Sequence, residues 1–271
     1  MDTRVDIHAS GAADLVHRLQ SRSRYTFTLE EARAALRATD VSTDAALRRL
    51  KQKGRVVAPR RGFFVIVPPE YDTAGSPPAT WFIDALMRHL DQPYYVGLLS
   101  AGALHGAAHQ QPMVLQVVTA RPTRPIVAGR TRIGFHVNHA ATAASVVALQ
   151  TDTGYIRVST AEATAVDLVR YMRACGGLGN VATVLAELAE RLDPAELTRA
   201  ALAAKAPDAQ RLGFLLQILG ESELADSVRD GLSHRRFRPV LLVPSRYASP
   251  ARQTADGRWR VVMNESVEVD L

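Results

Sequence analysis

Residues 42–67 read STDAALRRLKQKGRVVAPRRGFFVIV, and this stretch decides the fold of the N-terminal part of the chain. Ser42 or Thr43 can cap a helix, because a short hydroxyl side chain accepts a hydrogen bond from a free N–H of the first turn. The apolar residues that face inward from this helix are Ala46, Leu47 and Leu50. The residues left outside are Asp44, Ala45, Arg48, Arg49 and Lys51. Gly54 is expected to end the helix.

Two β-rich runs follow the helix, at residues 55–58 and 63–67. The segment Pro59-Arg60-Arg61-Gly62 joins them, and its proline and glycine suit a tight turn. The sequence therefore predicts a β-hairpin with two arginines at its tip. Seven Lys or Arg residues and no acidic residue lie between Arg48 and Arg61, so the helix and the hairpin should form one positive surface.

Two more helices are predicted upstream. Apolar residues at helical spacing indicate one over residues 12–19, and a capping box of Thr28 and Glu31 begins the next. The order helix, helix, helix, strand, strand is typical of a winged helix-turn-helix, whose third helix reads the major groove while the hairpin follows the phosphates. The alternative is a solvated charged face on a protein-interaction module, which the same order of elements permits.

Duplex DNA is the partner that the basic surface predicts. The residues expected to approach base edges are Thr43, Asp44, Arg48 and Arg49. The residues expected to contact phosphates are Lys51, Lys53, Arg55, Arg60 and Arg61. One small winged domain buries little surface, so we expect an operator with inverted or repeated half-sites, read by paired copies such as a dimer on DNA.

A proline-rich segment separates this reader from the rest of the chain. Residues 68–80 read PPEYDTAGSPPAT, and four prolines with one glycine cannot continue a helix or a central strand. We place a domain boundary here, with the DNA-binding domain and its linker at residues 1–79 and a second domain at residues 80–271. The predicted fold class is α+β, an N-terminal winged helix-turn-helix followed by a larger mixed α/β C-terminal domain.

Hydrophobic periodicity predicts the elements of the second domain. The predicted helices cover residues 81–90, 96–105, 160–174, 180–192, 194–203, 208–219 and 222–232. The predicted strands cover residues 114–119, 133–137 and 155–158, and a terminal hairpin is predicted over residues 258–263 and 267–271. Ser159 or Thr160 should cap the helix that ends near residue 174, with Leu168 and Val169 on its inner face.

The composition excludes several classes of protein. Apolar residues make up 47% of the chain and charged residues 22%, so the chain can bury a core and is not disordered. The single Cys175 excludes an internal disulfide and a cysteine zinc finger. Residues 1–10 show no export or anchoring pattern, so we expect a cytoplasmic protein without a membrane partner. The net charge of +6 suits nucleic acid or an acidic partner.

Small residues are concentrated between Tyr94 and Pro112. His105 and His109 lie four residues apart in this stretch, a spacing that some metal sites use. However, Gly106 weakens a continuous helix between them, and no third ligand can be named. We therefore interpret both histidines as structural residues and predict neither a metal nor a cofactor.

The sequence offers no support for an enzyme. Ser100, His105 and Asp167 have the residue types of a hydrolase triad, but Ser100 does not lie in a Gly-x-Ser-x-Gly elbow. No Gly-rich phosphate loop and no carboxylate pair at metal-ligand spacing is present. A ligand-sensing transcriptional regulator is the stronger alternative, since its second domain needs only an apolar pocket with a few polar groups.

Several features of the chain occur together in one known family. They are the N-terminal winged helix-turn-helix, the pair Tyr94-Tyr95, the small-residue helix ending in His105-Gly106, and His109-Gln110-Gln111-Pro112 before the strand at 114–119. A following basic tract and the helix near residues 160–174 match in layout. The chain thereby resembles the AbiEi antitoxins, the transcriptional-regulator halves of type IV toxin–antitoxin modules linked to abortive phage infection. The likeness covers nearly the whole length, although only the His-Gly to Gln-Pro stretch is specific.

The resemblance implies two roles. The N-terminal domain would repress the module's own promoter at inverted repeats, and the C-terminal domain would neutralise a nucleotidyltransferase-like toxin, directly or functionally. Two basic clusters can extend the DNA contact, bind an acidic partner or remain solvated. The first cluster is Arg121, Arg124, Arg130 and Arg132. The second is His234-Arg235-Arg236-Phe237-Arg238, in which Arg235, Arg236 and Arg238 are candidate additional DNA contacts.

Overall fold

The computed structural model describes residues 11–107, 112–244 and 255–267. The N-terminal part contains helices at Ala12–Gln20 (α1), Leu29–Leu36 (α2) and Asp40–Gln52 (α3), and strands at Thr26–Thr28 (β1), Val56–Arg60 (β2) and Phe63–Ile66 (β3). The three strands form an antiparallel sheet in the order β1-β3-β2. We refer to residues 12–67 as the helix–hairpin unit.

Side-chain caps begin α2 and α3. The predicted capping box of α2 is confirmed, because Thr28 Oγ1 accepts a hydrogen bond from the Glu31 N–H at 3.2 Å and Glu31 accepts one from the Thr28 N–H at 2.8 Å. The predicted cap of α3 is wrong. This helix begins at Asp40, and its cap is Thr39, whose hydroxyl accepts a hydrogen bond from the Ser42 N–H at 3.3 Å.

Two glycines allow the sharp turns of the helix–hairpin unit. Gly54 follows α3 with a φ of 68°, a left-handed conformation that confirms its predicted role as the helix stop. β2 continues to Arg60, so that Arg61 and Gly62 alone connect it to β3, and Gly62 has a φ of 74°. The predicted hairpin is therefore present, with a turn shorter than the four residues expected.

A small apolar core holds the unit together. Phe27 of β1 stacks on Phe64 of β3 with ring centroids 5.2 Å apart. The other large buried side chains of this core are Leu15, Val16, Leu47, Leu50 and Ile66. β1 does not follow from hydrophobic periodicity, because three residues are too few to show a period of two. Its pairing with β3 holds it in place.

The proline-rich connection packs against the second part of the chain. It contains two short 3₁₀-helices, Pro69–Tyr71 and Ala79–Trp81. Between them, the carbonyl oxygen of Ala74 accepts a hydrogen bond from the Arg130 N–H at 2.7 Å. A Cβ on Gly129 would lie 2.2 Å from the same oxygen, so this close approach requires glycine.

Apolar packing also crosses the predicted domain boundary. Phe63 and Val65 of β3 belong to the same buried cluster as Phe82. Tyr25 packs on Trp81 with ring centroids 4.9 Å apart. The boundary at residue 79 stays a prediction, and these contacts show that the helix–hairpin unit packs directly against residues beyond that boundary.

A six-stranded sheet forms the centre of the second part. Its strands are Tyr94–Val96 (β4), Leu115–Thr119 (β5), Ile126–Ala128 (β6), Thr131–Val137 (β7), Val146–Thr151 (β8) and Gly154–Ser159 (β9). Their order is β6-β7-β5-β4-β9-β8. The pairs β5/β7 and β4/β9 are parallel, and the other neighbours are antiparallel. β5, β7 and β9 confirm the three predicted strands. β4 and β6 are too short to show a hydrophobic period, and the pattern of β8 is too irregular to predict a strand.

Each helix predicted for the second part is present, with its ends shifted by a few residues or not at all. The helices are Ile83–His89 (α4), Leu98–Leu104 (α5), Ala161–Arg170 (α6), Leu178–Ala189 (α7), Pro194–Ala203 (α8), Ala206–Ile218 (α9) and Ser222–Gly231 (α10). Thr160 caps α6 as predicted, and Leu168 and Val169 are buried. No helix within the described ranges is both long and apolar enough to cross a membrane. The mixed α+β class is confirmed.

The predicted terminal hairpin over residues 258–263 and 267–271 stays a prediction, because most of its second strand is not described. Within the described ranges, Val261–Val262 (β11) lies parallel to Val240–Leu241 (β10). Residues 268–271 lie outside the described residues. Trp259 explains the actual arrangement: it is fully buried, and a Cβ on Gly213 of α9 would lie 2.1 Å from its ring. Packing of this tryptophan on α9 therefore fixes the path of the chain into β11.

Candidate nucleic-acid interface

Helix α3 presents a basic face to solvent. The exposed residues on and just after the helix include Asp44 and five cations, namely Arg48, Arg49, Lys51, Lys53 and Arg55. Within the described ranges, none of these five cations forms an ion pair with a carboxylate. Their charges are thus available to an external anion, and phosphates of a nucleic acid are anions of the required kind.

Thr43 does not belong to this face. Its side chain is fully buried, on the same side of α3 as Leu47 and Leu50. Because the helix begins at Asp40, Thr43 is a helical residue rather than a cap, and positions 43, 47 and 50 then share the stripe that faces the core. The expectation that Thr43 approaches a base edge is therefore wrong.

The hairpin tip places its two arginines in different surroundings. The Arg60 guanidinium donates hydrogen bonds to the carbonyl oxygen of Arg124 and, at 3.3 Å, to that of Pro59. Partial burial is the main cause that lowers the pKa of Arg60, and the nearby charge of Arg124 lowers it further. The Arg61 side chain is exposed, while its carbonyl oxygen lies 3.1 Å from His89 Nε2. The tip is thus fixed to the second part of the chain, and Arg61 is the arginine that it exposes.

The loop before β6 continues the basic surface beyond the hairpin. Gln92 Nε2 holds this loop by donating to the carbonyl oxygen of Arg121 at 3.0 Å and to Thr123 Oγ1 at 2.6 Å. The Arg121 guanidinium donates to the carbonyl oxygen of Asp91 at 2.9 Å. Arg121 and Arg124 are both exposed beside the hairpin. The other two arginines of this predicted cluster, Arg130 and Arg132, flank the start of β7.

The second predicted basic cluster has a partly structural role. Arg235 donates to the carbonyl oxygen of Ala204 at 3.1 Å and to that of Leu202, both at the end of α8. A guanidinium in this position satisfies carbonyl groups that a helix end leaves unpaired. Arg236 and Arg238 are exposed. These two, and not Arg235, therefore have the exposure that an additional contact needs.

Ser100, His105 and Asp167 do not converge on one another. Ser100 Oγ accepts a hydrogen bond from a main-chain N–H of β5 at 2.9 Å. His105 Nε2 lies 2.7 Å from the carbonyl oxygen of Ser159, and Asp167 Oδ2 accepts a hydrogen bond from the Tyr95 hydroxyl at 2.9 Å. Each of the three thus has its own structural partner. The interpretation of His105 as a structural histidine is confirmed.

His109, the other histidine interpreted as structural, lies outside the described residues. Across residues 11–107, 112–244 and 255–267, no three His, Cys, Asp or Glu side chains come close enough together to hold a metal ion. Cys175 is buried and forms no disulfide. Burial raises the pKa of its thiol to about 12, so the reactive thiolate is disfavoured at this site.

A buried polar network lies between α6 and α9. Arg170 Nε donates to Asp208 Oδ2 at 3.2 Å, and Arg211 donates to Asp208 Oδ1 at 3.4 Å. The Arg170 guanidinium also lies 4.0 Å from Asp167 Oδ1. Burial raises the pKa of Asp167 to about 7, although the Tyr95 hydrogen bond and the Arg170 charge act in the opposite direction. The sequence contains a signal for this network. An acidic and a basic residue lie three positions apart within α6, and again within α9, and both helices are otherwise largely apolar.

A cavity of about 600 Å³ lies beside the end of α6. Its apolar lining residues include Val169, Met172, Leu178 and Val243. Arg170 and Arg173 add basic groups, and Glu265 adds a carboxylate. Apolar walls with a few polar groups are typical of small-molecule pockets.

Comparison with known proteins gives a family match over the part of the chain that carries this network. Residues 95–218 match the family model of the AbiEi antitoxin C-terminal domain. No curated protein matches the sequence. Among solved structures, the crystal structure of the RV2827C protein from Mycobacterium tuberculosis shares the fold, with a TM-score of 0.64 and 18% identity over 93% of this chain and 90% of that one. Residues 95–218, slightly less than half of the chain, are thus similar to the C-terminal domain of the AbiEi antitoxins.

Proposed function

We propose that this protein is a DNA-binding transcriptional repressor as well as an antitoxin. In this proposal the helix–hairpin unit is a winged helix-turn-helix, with α3 as the recognition helix and the β2–β3 hairpin as the wing. It represses its own type IV toxin–antitoxin operon at inverted repeats, and the second domain counteracts a nucleotidyltransferase-like toxin. The division into domains at residue 79 is part of the same proposal.

The exposed, unpaired basic face of α3 is the observation that carries the proposal. Arginine can form two parallel hydrogen bonds to guanine in the major groove, and lysine and arginine both bind phosphates as cations. We assign base-edge contacts to Asp44, Arg48 and Arg49. We assign phosphate contacts to Lys51, Lys53, Arg55 and Arg61.

Arg60 has a positioning role in this arrangement. Its guanidinium is held by the carbonyl oxygen of Arg124, which places the wing beside the loop that carries Arg121 and Arg124. The positive surface therefore extends from the wing onto the antitoxin domain. The phosphate contact first expected of Arg60 passes in this proposal to Arg61, whose side chain is exposed.

The antitoxin half of the proposal rests on the family match over residues 95–218. A nucleotidyltransferase-like toxin is the target that the likeness to this family implies. The exposed Arg236 and Arg238 offer positive charge to an acidic surface of such a partner or to flanking DNA. Neutralisation by direct contact and neutralisation through repression are both compatible with this surface.

A gel-shift assay with a fragment of the protein's own promoter tests the DNA-binding half. Replacing both Arg48 and Arg49 by alanine should reduce operator affinity tenfold or more, since a bidentate arginine contact contributes about 1–3 kcal/mol of discrimination. Arg199→Ala is the control, because Arg199 is an exposed arginine on α8 and is not part of the helix–hairpin unit. Unchanged operator affinity in the double variant would exclude α3 as the recognition helix.

A ligand-sensing regulator is a second candidate function, which the 600 Å³ cavity beside α6 favours. In that case a small molecule would bind the apolar cavity and change the affinity of the helix–hairpin unit for DNA. A library of metabolites can be screened for compounds that raise the melting temperature of the full chain. A hit that also changes operator affinity, and that Leu178→Trp abolishes by filling the cavity, would support this function over the antitoxin role.

A further inference from the structure

The two edges of the six-stranded sheet differ in how they are protected. β6 forms one edge, has only three residues, is preceded by Pro125 and is followed by Gly129 and Arg130. β8 forms the other edge, has six residues and contains neither proline nor a charged side chain. Proteins usually shield an edge from other chains by short strands, prolines or charges. β8 has none of these features, and within the described ranges no strand pairs with its outer side.

The ladder between β8 and β9 shows which main-chain groups of β8 face outward. At the start of the ladder, the Thr160 N–H donates to the carbonyl oxygen of Ser145 at 3.1 Å. Hydrogen-bonded and non-hydrogen-bonded positions alternate along an antiparallel pair, so every second residue of β8 bonds to β9. The residues bonded to β9 are Val147, Leu149 and Thr151. The residues whose N–H and C=O groups point away from the sheet are Val146, Ala148 and Gln150.

The side chains of β8 suit a second copy of the same strand. Val147 is 44% exposed, although its partner Val158 on the same face of the sheet is buried. An added strand would cover this valine. Two copies of a chain with a net charge of +6 repel each other, and like charges placed opposite one another destabilise a strand pair. An uncharged edge strand avoids that repulsion.

We propose that β8 pairs in an antiparallel fashion with β8 of a second copy of this chain, about a two-fold axis at Ala148. In this register Ala148 faces the partner's Ala148, Val146 faces the partner's Gln150, and Val147 faces the partner's Leu149. Every outward N–H and C=O group of the strand then has a hydrogen-bond partner, and the apolar side chains meet in pairs. Shifting the axis by one residue would leave one of the three outward residues without a partner inside the strand.

The pairing would join two six-stranded sheets into one continuous sheet with two-fold symmetry. A two-fold dimer presents two copies of α3, which matches an operator built as an inverted repeat. That use of the dimer rests on the proposed function, whereas the pairing itself does not. The pairing can therefore be tested on the full chain without DNA.

The first test is the mass of the full chain by sedimentation equilibrium over a series of concentrations. The mass should rise with concentration toward twice the 29.5 kDa of one chain. Ala148→Pro should hold it at one chain, because proline lacks the outward N–H while the bonds to β9 come from neighbouring residues. The matched control Ala148→Val keeps the N–H and should dimerise like the wild type.

The second test is a register-specific cross-link, which also decides the matter if Ala148→Pro fails to fold. Ala148→Cys should form a disulfide-linked dimer on mild oxidation, since facing residues of a hydrogen-bonded pair have Cα atoms about 5.5 Å apart, within reach of a disulfide. Gln150→Cys is the control, because two copies of Gln150 would lie four residues apart along the pair, about 14 Å. Cys175 is buried and should not compete.

A wild-type chain that stays monomeric at all concentrations, or equal cross-linking of the two cysteine variants, would overturn the proposed pairing. These outcomes are distinct from a failure of the proposed function. A monomer that still binds its operator would overturn the pairing alone. A cross-linked dimer that does not bind the operator would support the pairing and overturn the proposed function.

Discussion

The Arg60 guanidinium donates a hydrogen bond to the main-chain carbonyl of Arg124, 64 residues further along the chain. Beside it, at the same turn, the carbonyl oxygen of Arg61 lies 3.1 Å from His89 Nε2. The hairpin tip is therefore attached to the rest of the molecule at two neighbouring residues. If the hairpin is the wing of a DNA reader, a phosphate bound at its tip also orients the second part of the chain.

Because Arg60 and Arg61 have different surroundings, we expect their substitution by alanine to have different effects. Arg61→Ala should weaken binding to operator and random DNA alike and reduce the slope of log affinity against log salt concentration by about one, because one phosphate contact is lost. Arg60→Ala should chiefly lower the melting temperature, since it removes the bond to Arg124, which contributes about 1 kcal/mol. Gel shifts over a salt series and thermal melts separate the two effects. Unchanged DNA affinity of Arg61→Ala at low salt would exclude the wing assignment.

The operator should contain two half-sites. A single winged unit of this size buries too little surface for high specificity, and regulators commonly pair their readers on repeated sequences. Footprinting of the protein's own promoter should show two protected segments separated by a multiple of the DNA helical repeat. One short protected site, occupied by one chain without cooperativity, would contradict this prediction.

The stability of the protein should depend on the protonation of Asp167. Burial raises the pKa of this carboxyl in the folded chain from its ordinary value of 3.8 to about 7, so the folded chain binds the proton more tightly than the unfolded chain does. The stabilisation by this proton is fully present below about pH 4 and is lost as the pH rises through about 7. The free energy of unfolding should fall across this window by about 4 kcal/mol.

Urea denaturation at a series of pH values measures this dependence. Asp167→Asn mimics the neutral carboxyl and should flatten the curve between about pH 4 and pH 7. Tyr95→Phe removes a hydrogen bond that lowers the pKa of Asp167, so it should move the loss of stability to higher pH. An Asp167→Asn protein with the wild-type pH dependence would show that another group is responsible.

Local signals explain which elements could be predicted from the sequence. The capping box of Thr28 and Glu31 began α2 where expected, and Pro194 at the first turn fixed the start of α8. β4 and β6 have three residues each and depend on strands far away in sequence, so no local pattern reveals them. The parallel pairing of β10 with β11 depends likewise on the packing of Trp259 on α9.

The candidate interface likewise combines features that the sequence reveals with features that depend on tertiary contacts. The basic run from Arg48 to Arg61 is a property of the sequence, and the structure places its members on one helix and the adjoining hairpin. Arg60 and Arg235 bind carbonyl oxygens instead of facing solvent. These are tertiary contacts, which a single sequence does not reveal. The burial of Thr43 was visible in its spacing from Leu47 and Leu50.

A fragment that begins at Thr80 should fold and should lack operator binding. The largest apolar cluster of the molecule draws all its residues from Tyr95 onward, so the fragment retains that core. The second cluster loses Phe63 and Val65, which exposes part of Phe82 and should lower the melting temperature relative to the full chain. Operator binding should disappear, because α3 and the hairpin are absent.

The same fragment should still protect cells from the cognate toxin if neutralisation is a property of the domain at residues 95–218. The measurement is growth rescue on co-expression, with a circular dichroism melt to show that the fragment is folded and a gel shift to show that it no longer binds the operator. The full chain with Arg48 and Arg49 replaced by alanine is the matched control, since it keeps the helix–hairpin unit in place but should not bind DNA. Rescue by that variant and not by a folded fragment would mean that neutralisation needs the helix–hairpin unit as a structural partner, because Phe63 and Val65 complete the apolar cluster around Phe82.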